Sequence, residues 1–197
     1  MRKTLIGAVL LTVAMAGTVA AAPSFNGPTG MILTPDTETL DQGSYSMGFH
    51  STDHVNSLSL NLGLVKNLEI GLTRFDYDPS GHSNTLNAKW KFAPEGNGSP
   101  ALAFGIQDVG DEVDQTPYLV ASNTLRGGAR VHYGIGGGSI DGIFGGFEKD
   151  FKRGTFLAEY DGDNLNVGAR FAVAQDVKVN VGLLDMDDFY FGITLTK

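Results

Sequence analysis

An alternation of apolar and polar residues runs through most of this chain and limits what it can fold into. It is clearest between Thr155 and Thr196, where four short segments alternate and are separated by brief turn-like connections. Because a period of two places successive side chains on opposite faces of a pleated strand, each segment is predicted to be a β-strand. The short connections predict that neighbouring strands are antiparallel hairpin partners.

The same alternation begins at Ser44 and predicts further strands before the final four. It is regular over residues 45–92, whereas the segment 118–122 has no readable phase and glycines blur the faces of residues 140–147. The count is about twelve strands, with no helix predicted beyond the opening segment. The predicted fold class is therefore all-β, an antiparallel up-and-down arrangement.

The chain opens with the pattern of a secretory signal peptide. Arg2 and Lys3 precede an apolar run, and small residues follow up to Ala22. This order is typical of an export signal, whereas the weakly apolar second half disfavours the alternative of a membrane anchor helix. We predict a signal peptide over residues 1–21, a turn-rich extended lead-in over residues 22–43 that lies against or inside the strands after it, and a β-barrel over residues 44–197.

Composition narrows the possible partners and compartments. The 197 residues include no cysteine, which excludes disulfides and thiol chemistry. Removing the signal peptide takes away two basic residues and no acid, so the net charge falls from −8 to −10 and disfavours nucleic-acid binding. No later apolar run approaches the roughly 20 residues of a helical span. An exported chain of this kind is either soluble or inserted as a barrel.

The polar face of the strands favours insertion. Glycine, which weakens a strand, recurs on this face and suits a crowded barrel interior better than a wetted surface. The same face carries charges of both signs, which could pair inside a lumen; a solvated outer surface is the alternative interpretation. The residues predicted to face the lumen are Glu69, Lys89, Lys91, Arg130, His132, Glu159, Arg170 and Lys178.

The connections between strands also sort by charge. Every other loop is acidic, whereas the remaining loops carry most of the loop lysines and arginines. Alternate loops of an even-stranded barrel lie on opposite sides of a membrane. Aromatic residues near strand ends, such as Phe75 and Trp90, suit the interfacial girdles of a membrane barrel, and they equally suit the core of a soluble fold. Together these features predict a transmembrane β-barrel in the outer membrane of a Gram-negative cell, with outer-membrane lipid and the barrel-assembly machinery as partners.

Two segments resemble a known family. Residues 27–36, followed by Gly43 and the first strand, are similar to the G-x-x-G-hydrophobic-x-x-T-P opening of YjbH-like outer-membrane proteins. Residues 156–162, with residues 165–168 after them, resemble a second recurring pattern of that family. The resemblance implies a short, single-barrel member associated with exopolysaccharide production, with polysaccharide as a partner. Lys197 departs from the aromatic residue on which outer-membrane barrels commonly end.

The chemistry-bearing residues form no recognisable catalytic or metal motif. The four histidines lack metal-ligand spacing. His50 lies near Ser57 and Ser59 on the polar face, but no third group marks an orienting partner. We therefore predict no enzyme activity, no cofactor and no metal. The predicted function is a structural or exopolysaccharide export-associated role, and the alternative is a small passive outer-membrane pore.

Overall fold

The computed structural model describes residues 21–197, so the predicted signal peptide falls outside the described residues except for Ala21. Among the described residues, no helix is long and apolar enough to cross a membrane. Twelve strands follow the lead-in: β1 Tyr45–Ser51, β2 Val55–Val65, β3 Leu68–Tyr77, β4 His82–Ala93, β5 Ala101–Gln107, β6 Thr116–Thr124, β7 Ala129–Gly136, β8 Gly142–Phe151, β9 Gly154–Tyr160, β10 Leu165–Ala172, β11 Val177–Leu184 and β12 Asp188–Thr196.

The strands form a closed antiparallel barrel. Each strand pairs with its neighbours in the chain, and β1 pairs with β12 to complete the ring. That seam is in regular register, with Phe49 opposite Ile193, and the backbones of Tyr45 and Lys197 extend it by two hydrogen bonds of 2.8 Å. Closure leaves no strand edge with unpaired amide and carbonyl groups. The predicted twelve-stranded barrel is confirmed.

The apolar face of the barrel points outward. Large side chains along it remain open to the surroundings, including Leu72 at 57% and Ile143 at 72% exposure. The polar face points inward, where Glu69 and Lys89 are each 1% exposed. A soluble barrel would bury its apolar face, so this arrangement requires an apolar environment outside the strands.

Glycines on the inward face make room for bulky lumen side chains. A Cβ atom at Gly192 would lie 2.1 Å from the His50 ring, and one at Gly134 would lie 2.3 Å from the Phe144 ring. Such distances are far inside van der Waals contact, so these large rings lie where only a glycine leaves space.

The phase of β6 could not be read from the sequence because part of the lumen is apolar. Tyr118 and Val120 of β6 point inward and pack with Ala103, Ile140 and Phe144. Both faces of β6 are therefore apolar, and the alternation disappears. The glycine-blurred residues 140–147 correspond to β8, which runs from Gly142 to Phe151.

The two ends of the barrel differ in charge. The connections 52–54, 78–81, 108–115, 137–141, 161–164 and 185–187 lie at one end, here called the acidic rim, and hold most of the loop aspartates. The opposite end, the basic rim, holds Lys66, Arg126, Lys152 and Arg153, together with Tyr45 and Lys197. Because alternate loops of the twelve-stranded barrel lie at opposite ends, the alternating loop charges make one end acidic and the other basic.

Candidate functional site

The lead-in fills the lumen of the barrel. Residues 22–40, here called the plug, are buried or half-buried, whereas residues 41–43 are exposed where the chain joins β1. The plug enters beside Thr196, whose hydroxyl donates to the Ala21 carbonyl, and leaves near Gly63, whose carbonyl accepts from the Gly43 amide. It therefore enters and leaves at the basic rim and bends within the lumen between those points.

Glu159 of β9 anchors one bend of the plug. Its carboxylate accepts hydrogen bonds from three successive backbone amides, those of Ile32 at 3.0 Å, Leu33 at 2.7 Å and Thr34 at 3.2 Å. The Thr34 hydroxyl adds a fourth bond at 2.8 Å, and the Asn166 side chain adds a fifth at 3.1 Å. Successive amides that converge on one carboxylate satisfy a buried negative charge without a cation in direct contact.

Glu69 of β3 and Lys89 of β4 hold a second part of the plug. Glu69 accepts from the Thr29 amide at 2.8 Å and from the Leu40 amide at 3.0 Å. The Lys89 ammonium, whose side chain is fully buried, donates to the Thr29 carbonyl at 2.6 Å and lies 3.6 Å from Asp36. A buried cation and a buried anion on neighbouring strands thus bind the same plug residue from two sides.

Arg170 of β10 closes the same network from the opposite wall. Its guanidinium donates to the carbonyls of Gly30 and Met31, at 2.8 and 2.5 Å, and to the side chain of Asn180 at 2.9 Å. The plug carbonyls between the two carboxylate anchors are therefore satisfied by barrel cations, as a backbone without secondary structure requires when it is buried.

A third anchor lies nearer the basic rim. Glu38 of the plug pairs with Arg130 at 2.6 Å and with Lys91 at 3.0 Å, and Arg130 in turn pairs with Glu148 at 3.1 Å. The sequence predicted the two cations but not their plug partner, because Glu38 lies in a segment without periodicity.

Ser122, His132 and Glu148 form a buried chain across β6, β7 and β8. The Ser122 hydroxyl lies 2.7 Å from His132 Nδ1, and His132 Nε2 lies 3.5 Å from Glu148. The order resembles a nucleophile, base and orienting carboxylate. The Thr37 amide donates to Ser122 at 3.3 Å, however, and Ser122 is fully enclosed. In this arrangement the three side chains, Ser122, His132 and Glu148, connect the plug to the barrel wall.

Seven of the eight residues predicted for the lumen take part in these contacts or in the chain beside them, and Lys178 lies half-buried on β11. Sequence reasoning missed Ser122, Glu148 and Asn166. Ser122 and Asn166 are neutral polar residues that alternation does not distinguish from other strand positions. Glu148 follows the glycine-blurred part of β8, where the inward face was not readable.

His50, which lies near two serines on the polar face, contacts the plug. Its ring packs against Phe25 at a centroid distance of 5.9 Å. The side-chain oxygens of Ser57 and Ser59 and the Nδ1 atom of His50 have no hydrogen-bond partner among the described residues. Among residues 21–197, no group of three or more histidine, aspartate or glutamate side chains is arranged to hold a metal ion.

The shape of the lumen requires glycine at position 27, the first residue of the family-like motif. Gly27 has a φ of +111°, and a Cβ atom there would lie 1.8 Å from the Thr73 hydroxyl of β3. Neither the backbone conformation nor the space admits a side chain. This glycine of the motif is therefore required by the close contact between the plug and the barrel wall.

A cavity of about 200 Å³ lies between the plug and the acidic rim. The plug residues Phe25 and Asn26 contribute to it, and its walls come from β3, β4, β5 and the loop 108–115. Two inward aromatic residues, Phe75 and Tyr77, line it with their rings stacked at 6.3 Å. The expectation that Phe75 belongs to an interfacial girdle is wrong, because β3 turns this ring into the lumen.

A closed antiparallel barrel with an apolar outer face and a polar lumen defines the class of porin-like barrels. A model of the YjbH family, described as exopolysaccharide biosynthesis protein YbjH, matches residues 24–155, about two thirds of the chain. The chain belongs to the YjbH family. The matched region contains the whole plug from Ser24 onward and the first eight strands.

Two of the solved structures that match the chain are porins. A KdgM porin is 14% identical, with 78% of this chain and 97% of that chain covered and a TM-score of 0.54. A triple mutant of the Rhodopseudomonas blastica porin is 17% identical, with 74% and 56% covered and a TM-score of 0.36. No curated protein matches the chain. The likeness to the KdgM porin, at 14% identity, concerns the fold alone.

Proposed function

We propose that this protein is an outer-membrane barrel that takes part in exopolysaccharide export and is held closed by its plug. The observation that carries the proposal is the occupation of the lumen by residues 22–40. Membership of an exopolysaccharide-associated family supports the biological role. The outward apolar face supports insertion in lipid, since a surface of that kind is costly in water.

The plug favours a gated or structural role over a passive pore. A passive pore needs a continuous aqueous path, whereas here Glu69, Glu159 and Arg170 each bind plug backbone across the lumen. The anchors are hydrogen bonds and ion pairs, without a covalent link, so the plug is able to leave if a partner supplies competing contacts. The basic rim, where the plug enters and leaves, faces the periplasm in this proposal, and the acidic rim faces outward.

Conductance in planar lipid bilayers separates the two roles. The full mature chain is expected to be silent, and a variant without residues 22–41 is expected to conduct steadily. Steady conductance of the intact chain would favour the passive pore. Heat-modifiable gel migration of the outer-membrane fraction tests location in the same preparation, and recovery in the soluble periplasmic fraction would contradict it.

The export role requires a cellular measurement. In the cell that encodes the protein, deletion of the gene is expected to lower secreted polysaccharide, and the intact gene is expected to restore it. Normal secretion in the deletion strain would refute the export role while leaving the barrel and its plug unaffected.

A further inference from the structure

The cavity at the acidic rim contains buried polar atoms that lack a partner. Gln107 and Asp108, at the end of β5, are 6% and 3% exposed. The Gln107 Nε2 atom and the Asp108 Oδ1 atom have no hydrogen-bond partner among the described residues. Leaving buried polar groups unpaired is costly, and both residues line the cavity, so a polar ligand that reaches these atoms would remove that cost.

The two atoms are complementary in chemistry. Gln107 Nε2 is a donor and Asp108 Oδ1 is an acceptor. The other carboxylate oxygen of Asp108 is already used, because it accepts from the amides of Val113 at 2.6 Å and Asp114 at 3.0 Å. A hydroxyl group both donates and accepts, so the hydroxyls of one ligand can serve both kinds of atom.

The rest of the lining provides an apolar surface. The stacked rings of Phe75 and Tyr77 make an angle of 27°, and the plug residue Phe25 lines the same space. A ligand with hydroxyls at its edge and C–H bonds across its face matches both parts of this lining. A pyranose ring has that construction, whereas an open-chain polyol has no flat apolar face.

Size and charge restrict the ligand further. At about 200 Å³, the cavity is smaller than the roughly 300–1,000 Å³ of pockets for drug-sized ligands, and so fits one ring. The carboxylates of Asp108 and Asp114 line it, and further aspartates surround it on the acidic rim. Like charges repel, so the site disfavours acidic sugars.

We infer that this cavity binds one neutral pyranose ring, held between the Phe75–Tyr77 pair and the free atoms of Gln107 and Asp108. The inference rests on the proposed function, since it names the chemical class that an export-associated barrel would recognise. Because Phe25 and Asn26 of the plug line the site, a bound sugar ring contacts the plug directly.

Ligand-observed saturation-transfer NMR on the full mature chain in lipid nanodiscs tests the inference. The probes are the methyl α-pyranosides of glucose, galactose and mannose, with sorbitol and glucuronate as comparators. Saturation is expected to reach at least one glycoside but neither comparator. No transfer to any of the three glycosides, or equal transfer to sorbitol or glucuronate, would overturn the assignment.

Variants locate the binding. Gln107→Leu and Phe75→Leu are each expected to weaken glycoside binding by about fivefold or more, the equivalent of roughly one net hydrogen bond or a lost ring contact. Phe104→Leu is the matched control, since Phe104 lies on β5 but is 49% exposed on the outer face. If Gln107→Leu does not assemble, Gln107→Glu keeps the shape and replaces the donor with an acceptor. Unchanged binding in the assembled lumen variants, or equal weakening in Phe104→Leu, would refute the site.

The two proposals fail in distinguishable ways. If secretion depends on the protein but no glycoside binds, the export role stands and the sugar site is rejected. If a glycoside binds at Gln107 and Phe75 but secretion is normal without the gene, the site stands and the export role is rejected.

Discussion

The hydrogen bonds between Glu159 and the plug lead to the clearest prediction. Glu159→Gln keeps the size of the side chain but leaves one oxygen where there were two. In the native chain, one carboxylate oxygen serves Ile32 and Thr34, and the other serves Leu33 and Asn166. In the variant, the NH₂ group of the glutamine replaces one of these oxygens. It therefore faces either the donors of Ile32 and Thr34 or those of Leu33 and Asn166, and it can accept from neither.

The cost follows from the bonds lost. A hydrogen bond to a charged acceptor contributes about 1.5–3 kcal/mol, and the variant loses either the 2.7 Å bond from the Leu33 amide or the bonds from the Ile32 and Thr34 amides. Neutralising the side chain weakens the remaining bonds but also removes the cost of burying a charge, which offsets part of the loss. A net cost of about 2 kcal/mol to plug docking corresponds to about a thirtyfold change in its equilibrium.

Hydrogen exchange measures this change directly. In nanodiscs, the amides of residues 32–34 are expected to exchange about thirtyfold faster in Glu159→Gln, because they exchange when the plug undocks. Glu95→Gln is the matched control, since Glu95 accepts from the Thr124 amide and hydroxyl at 2.6 and 2.9 Å on the exposed basic rim, away from the plug. Exchange within twofold of the native rate, or an equal increase in the control, would refute the anchoring role.

Three further predictions concern the plug and the outer face. Lys89→Met is expected to lower the free energy of unfolding in lipid by about 3 kcal/mol, because it leaves plug acceptors unpaired. Lys66→Met, at an exposed position, is expected to change it by less than about 0.5 kcal/mol. Denaturant titration measures both variants, and equal effects would contradict the buried role of Lys89. Gly27→Ala is expected to produce brief conductance openings in planar bilayers, because the added carbon meets Thr73 and the backbone has a positive φ; a silent barrel would contradict the fit. Leu72→Lys, near the middle of β3, is expected to cost about 2–4 kcal/mol in liposomes, against about 0–1 for Leu165→Lys at the acidic end of β10, and equal costs would argue against lipid contact.

Most of the barrel could be predicted from local pattern, because the period of two is a property of each strand by itself. β2 and β12 show this best, since apolar and polar or small residues alternate along nearly their whole length. The sequence indicated which face points into the lumen where glycines and charged residues share one face, as Gly168 and Arg170 do on β10. It did not indicate which face of β6 points inward, because Tyr118 and Val120 pack in an apolar part of the lumen.

The interior of the site was less predictable. The sequence indicated that residues 22–43 were extended and either outside or inside the barrel, but no local signal selects between these positions. What selects the inside position is a set of contacts between distant residues, such as Thr29 with Glu69 and Ile32 with Glu159, separated by 40 and 127 positions. Such pairs leave no periodic trace in a single sequence.

The enclosure of the plug also constrains the order of assembly. Residues 22–40 contact strands all round the barrel, including β1, β3, β9 and β10, and those strands form a closed ring only when β12 pairs with β1. The segment must therefore reach the interior before the seam closes, or pass through an end of the finished barrel. Contacts between residues more than a hundred positions apart slow folding, because a long loop must close before they form. The first residues after the predicted export signal are thus among the last whose native contacts can be completed.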